Sequence, residues 1–141
     1  MDPKKKSERE LMEAALFARQ KAYAPYSGYL VGAALLDTEG NIHTGCNVEN
    51  SSYGATNCAE RSAVFRAVGE GKRIFTMIAI AGGTKERRGM AFPCGVCRQV
   101  LREFCDPKEF TVLVGTSADD YRCFTLEELI PYSFGPDFMD G

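Results

Sequence analysis

The chain has 141 residues, 45% of them hydrophobic and 26% charged, with a formal net charge of -2 from 17 basic and 19 acidic side chains. That length suits one domain around one core. The near-neutral balance argues against a nucleic acid as the main ligand, because polyanion binding rests on clustered Lys and Arg. No apolar run approaches the roughly 20 residues of a membrane span. The start, Met1-Asp2-Pro3-Lys4-Lys5-Lys6, lacks the apolar core of a signal peptide, so a cytoplasmic, small-ligand protein is expected.

In chain order, Leu11, Ala15, Ala18 and Ala22 recur at helical spacing and predict a helix from about Ser7 to Tyr23, ended by Ala24-Pro25-Tyr26-Ser27-Gly28. Residues 1–8 are expected to be flexible, with Lys4, Lys5 and Lys6 solvated. Leu30 to Leu36 and Ile42 to Val48 read as two strands of an antiparallel hairpin around Asp37-Thr38-Glu39-Gly40-Asn41. A second helix runs from Cys58 to Val68, closed by Gly69 and Gly71. Arg73 to Ala81 is strand-like. Gly82 to Gly89 reads as a flexible loop, and Pro93 opens a third helix that continues to Phe104. Phe110 to Gly115 is a β-branched, apolar strand, followed after a short turn by a segment at Tyr121 to Phe124. Thr125 with Glu128 forms a capping box for a last short helix that stops at Pro131.

This order predicts an α/β fold: a mixed sheet with helices on its faces. Strands joined through helices should run parallel. The last connection is too short for a helical crossover, so the fifth strand should return antiparallel.

Six cysteines stand at Cys46, Cys58, Cys94, Cys97, Cys105 and Cys123. Their density, about 4%, lies below that of disulfide scaffolds. In a reducing compartment such clusters serve metal binding or catalysis. Cys58-Ala59-Glu60 and Pro93-Cys94-Gly95-Val96-Cys97 each open a helix, and both openings can lie at one edge of the sheet, where ligands collect in open α/β folds. Three thiolates can hold zinc and leave a fourth position for water. Zinc with three thiolates carries a net charge of -1. Helix dipoles and a cation such as Arg61 would offset that charge, and Glu60 stands close enough to move a proton without ligating. Plainer readings compete. Cys94 and Cys97 alone resemble a thioredoxin-like redox pair. A structural zinc would need a fourth ligand from Cys46, His43, Cys105 or Cys123. Cys105 and Cys123 read as ordinary helix-end and strand residues, and His43 alternates within a strand.

The run Gly45-Cys46-Asn47-Val48-Glu49-Asn50-Ser51-Ser52-Tyr53, with Cys58-Ala59-Glu60-Arg61 and Pro93-Cys94-Gly95-Val96-Cys97-Arg98-Gln99-Val100, closely resembles the cytidine deaminases of pyrimidine salvage. The likeness extends from about Pro25 to Phe134. Cys58, where the wider superfamily carries histidine, is similar to the small homotetrameric branch. The resemblance implies a three-layer α/β/α fold with a five-stranded mixed sheet, in one domain over residues 1–141. It implies one zinc ion per subunit on Cys58, Cys94 and Cys97, with Glu60 as proton shuttle in the hydrolysis of cytidine and 2′-deoxycytidine to uridine and 2′-deoxyuridine. It further implies that Ala59 N–H meets the pyrimidine O2, that Asn47 and Glu49 hold the ribose 3′-hydroxyl, and that Arg61 hydrogen-bonds the thiolates. Tyr29 stands where the family usually stacks a phenylalanine on the base. Tyr53 and Phe134 resemble residues that subunits of a homotetramer lend to one another's sites. A nucleoside is the implied partner, rather than a nucleic acid or a membrane. A polynucleotide deaminase, a dithiol redox protein and a blasticidin-type aminonucleoside deaminase are the rivals, the last disfavoured by the Asn47 to Tyr53 run.

Overall fold

Along the three central strands, side chains sort to opposite faces with a period of two, and this alternation builds two cores on one sheet. In the computed structural model, which describes residues 2–139, helix α1 spans Pro3–Arg19, β1 Gly32–Asp37, β2 Ile42–Cys46, α2 Ala59–Gly69, β3 Phe75–Gly83 and β4 Arg88–Gly89. Helix α3 follows at Gly95–Arg102, then β5 Thr111–Ser117, β6 Asp120–Thr125 and α4 Leu126–Leu129. The order across the sheet is β2-β1-β3-β5-β6, with β4 paired to the end of β3. Ala33, Leu35, Ile78, Ile80, Val112 and Val114 point to the face covered by α2, α3 and α4. Ala34, Met77, Ala79, Ala81 and Leu113 point to the other face, against Leu11, Met12 and Ala15 of α1. Burying each larger aliphatic side chain stabilises the fold by about 1.5–3 kcal/mol. Because both faces are covered, β3 is apolar almost continuously.

This is the expected α/β/α architecture. β1 is antiparallel to both β2 and β3, β3 is parallel to β5, and β6 returns antiparallel. The capping box of α4 has both of its bonds, Thr125 Oγ1 accepting from Glu128 N and Glu128 accepting from Thr125 N. Strands β2 and β3 thus point the same way, and α2 and α3 begin beyond their carboxyl ends. Both helix N-termini come to one edge of the sheet.

Two expectations are corrected. The N-terminal helix starts at Pro3, not Ser7: Asp2 caps it by accepting from Lys4 N at 3.3 Å, and Pro3 sets the first helical φ. The helical turn therefore includes the three exposed lysines of the segment expected to be flexible; Met1 lies outside the described residues. The 82–89 segment is not simply a loop. It is a tight hairpin in which β4 pairs Gly82 with Gly89 and Gly83 with Arg88. Gly83 makes this turn possible at φ 114°, where a side chain is strained. The hairpin is tied down by the buried Arg19, whose Nε donates to Gly82 O at 2.8 Å, and by Leu30 N donating to Gly83 O at 2.7 Å.

Candidate active site

Cys58 is the N-cap of α2 and Cys94 the N-cap of α3. Both have extended backbone, and neither side chain spends itself on capping its helix. Their thiols are therefore free to face the gap between the helices. An N-cap side chain lies beside that of the third helical residue, the geometry that also underlies capping boxes. In α3 that third residue is Cys97, with Sγ 3.6 Å from Cys94 Sγ. In α2 it is Arg61, whose Nη2 donates to Cys58 Sγ at 3.2 Å. Packing of the helices closes the set, with Cys58 Sγ 3.9 Å from Cys94 Sγ. Among the described residues, Cys58, Cys94 and Cys97 form the one His/Cys/Asp/Glu cluster compact enough to hold a metal.

The spacing suits zinc. Sulfurs at about 2.3 Å from a tetrahedral centre lie about 3.8 Å apart, close to the separations here. The electrostatics agree. The hydrogen bond from Cys97, with help from Arg61 and Cys94, lowers the Cys58 thiol to about 5. The same bond to Cys58 pushes Cys97 well above the thiol range, reinforced by burial and by Glu60. Three crowded thiols cannot all ionise unaided, and a divalent cation is what removes that conflict. Arg61 stays protonated more firmly than usual because of its bond to Cys58, and its buried Nε has no partner among the described residues.

Glu60 is the second residue of α2 and only 4% exposed. Burial pushes its carboxyl up to about 7, with the neighbouring Cys58 adding to the rise. It borders a cavity of about 320 Å³ shared with Cys58, Cys94, Ala59, Asn47 and Tyr29, at the small end of the range for ligand sites. A larger hollow of about 870 Å³, near the end of α3 and the 131–138 segment, contains none of the three thiols.

The other expected site residues divide. Asn47 is nearly buried at the cavity wall. Its Oδ1 accepts from Val31 N at 2.9 Å and its Nδ2 donates to Tyr29 O at 2.8 Å, which leaves one acceptor position and one N–H. Glu49 accepts from the amides of Tyr26 and Ser27 and from the Ser27 hydroxyl; these bonds, the hydroxyl first, lower its carboxyl from the usual range. Glu49 does not line the cavity. Tyr29 does, and a Cβ on Gly82 would stand 3.0 Å from its hydroxyl. Tyr53 and Phe134 point outward. Tyr53 meets Tyr26 edge-on at 6.0 Å, and Phe134 stacks on Phe138 at 5.5 Å. The cavity is also lined by Val31, Thr56, Asn57, Met90, Ala91 and Phe92, none of them picked out along the sequence; the last three stand just ahead of Pro93-Cys94.

The proposed alternatives for the cysteines lose ground. Cys105 donates to Leu101 O within its own helix end, Cys123 lies exposed on β6, and neither joins the cluster. His43 is buried against Asp37. A third thiol beside Cys94 and Cys97 is foreign to a simple redox pair.

Together these features define a class: an α/β/α protein whose two helix N-termini bring three thiols and a buried acid to the floor of a small cleft. The model of the cytidine and deoxycytidylate deaminase zinc-binding region matches residues 5–114, and the chain belongs to that family. It is 45% identical over 130 residues to a cytidine deaminase of Halalkalibacterium halodurans, covering 92% of this chain and 96% of that one. It is also similar to a cytidine deaminase of Sporosarcina psychrophila, 46% identical over 85% of each chain. Among solved structures, cytidine deaminase from Burkholderia pseudomallei aligns with a TM-score of 0.80 at 46% identity, over 89% of this chain and 97% of that one. The enzyme from Mycobacterium tuberculosis aligns with a TM-score of 0.74 at 38% identity, over 89% and 95%.

Proposed function

We propose that the protein hydrolyses the exocyclic amine of cytidine and 2′-deoxycytidine, consuming one water and releasing ammonia with uridine or 2′-deoxyuridine, in cytoplasmic pyrimidine salvage. The observation that carries this reading is the buried Glu60 carboxyl beside the Cys58, Cys94 and Cys97 cluster. Those thiolates would hold one zinc ion per chain, which would lower the pKa of a bound water and so make hydroxide available near neutral pH.

The chain's own residues do the rest. Glu60 takes the proton of that water, passes it to N3 of the base, and later serves the departing amine. A carboxyl raised toward neutrality suits both directions of transfer. Ala59 is the first helical residue of α2, so its N–H has no intrahelical acceptor and is available to the pyrimidine O2. The remaining N–H and lone pair of Asn47 fit a ribose hydroxyl, with Glu49 setting the 26–27 turn beside it and contributing to the sugar site. Tyr29 presents a ring to the base. Arg61 offsets the negative charge of three thiolates on one divalent ion. Tyr53 and Phe134, which face away from their own cavity, complete the sites of neighbouring copies in a homotetramer.

The test is to follow the ultraviolet absorbance of cytidine with purified protein, with and without a chelator, alongside elemental analysis. Conversion that chelation abolishes and zinc restores is the expected result. Conversion of cytosine in single-stranded RNA or DNA but not in the free nucleoside would overturn it.

A further inference from the structure

We propose that Phe92 is a specificity-determining residue that closes the C5–C6 edge of the base, and that Phe124 on β6 holds it there. This inference rests on the deaminase reading above.

A pyrimidine with C4 at the thiols and N3 and O2 toward Glu60 and Ala59 uses the α2 side of the cavity for one edge. Met90, Ala91 and Phe92, on the chain that leads into α3, line the same cavity, and the C5–C6 edge is assigned to them. That stretch is apolar, as an edge carrying only C–H groups requires. Phe92 is 44% exposed and, two residues before Cys94, lines the same cavity as that thiol. Its direction is set from outside the cavity. The ring packs edge-to-face on Phe124, centroids 5.5 Å apart and planes at 64°. Phe124 in turn lies under the Arg122 guanidinium, 4.9 Å from the ring centroid. Phe124 pairs with Val112 across β5 and packs on the core that α2 and α3 cover. The antiparallel β6 strand thereby reaches the cavity through one aromatic contact, and no residue of β6 lines that cavity itself.

The experiment compares cytidine with 5-methylcytidine on the zinc-loaded protein and its F92A, F92L, F124A and F124Y variants. Loss of an aromatic ring's contact with the base is worth about three- to tenfold in KM, the scale of an aromatic pair. F92A should raise KM for cytidine by that factor while kcat stays within about twofold and zinc content is unchanged. The penalty should be smaller for 5-methylcytidine, because its methyl group refills the vacated space, so the ratio of the two kcat/KM values shifts toward the methylated nucleoside. F92L should shift it in the same direction by less. F124A should reproduce the shift, and F124Y, which keeps the ring, should restore the original ratio. A ratio unmoved in both Phe92 variants overturns the inference while leaving the deaminase reading intact. So does an F124A protein that loses zinc and kcat together with KM. Absence of turnover of either nucleoside by the unsubstituted protein overturns both.

Discussion

Arg61 Nη2 donates to Cys58 Sγ over 3.2 Å, from the third residue of α2 to the N-cap of the same helix. Cys97 occupies the same station relative to Cys94 in α3. One helix start therefore offers the cluster a thiol and a cation, the other two thiols. Replacing Arg61 by Ala should weaken zinc binding about 10- to 100-fold, the range for partners that orient metal ligands. Competition with a chromophoric chelator measures this. Cys94→Ala, which removes one of the three clustered thiols, should cost more, and elemental analysis of that protein should show metal well below one equivalent.

Glu60 is buried and borders the cavity of about 320 Å³. Glu60→Gln preserves shape and removes the proton acceptor. We expect kcat to fall by about 10²–10⁴-fold with zinc content unchanged. Undiminished turnover in a single-turnover assay would remove Glu60 from the proton path.

Gly45 lies where β2 crosses the first turns of α2. A Cβ there would stand 2.4 Å from Ala63 N and 2.6 Å from Ala59 O, both backbone atoms that cannot swing away. Gly45→Ala should destabilise the fold by about 1–3 kcal/mol and displace the helix that presents Cys58 and Glu60. Thermal unfolding and zinc content should fall together. A melting temperature equal to that of the unsubstituted protein would show that α2 is free to back off the sheet.

Asp37 and His43 form a buried pair at the β1–β2 hairpin, Oδ2 to Nε2 at 2.9 Å, with Glu70 3.7 Å from the other ring nitrogen and Lys72 3.9 Å from Asp37. Burial alone would raise the Asp37 carboxyl, but the His43 bond and the amides of Asn41 and Glu39 hold it well below the usual range. A depressed carboxyl contributes stability that is complete above its unfolded value, about 3.9, and is lost as pH falls toward the folded value. Asp37→Asn should therefore cost about 2–3 kcal/mol at pH 7, and the gap should narrow below about pH 4. Urea midpoints of the two proteins at pH 7, 5 and 3.5 read this directly.

Much of this molecule was legible along the chain. The near-continuous apolar runs at Ala33 to Leu35 and Ile78 to Ala81 mark strands covered on both faces, the short 116–120 connection forces β6 to turn back, and Thr125 with Glu128 writes its own cap. Each of these is a local constraint on neighbouring residues, so the order of residues alone decides it. The 3.6-Å approach of Cys94 and Cys97 belongs to the same kind, because an N-cap and the third helical residue are adjacent in any helix. What only the tertiary structure decided is how elements distant in sequence meet. Cys58 joins Cys94 across 36 residues because parallel β2 and β3 deliver two helices to one edge. Met90, Ala91 and Phe92 reach the cavity just after a hairpin that reads as loop and that Arg19, from the far end of α1, bonds at Gly82 O. Such long-range contacts carry no periodicity of their own; they follow from the packing of two covered faces on one sheet, and only the folded chain brings those faces together.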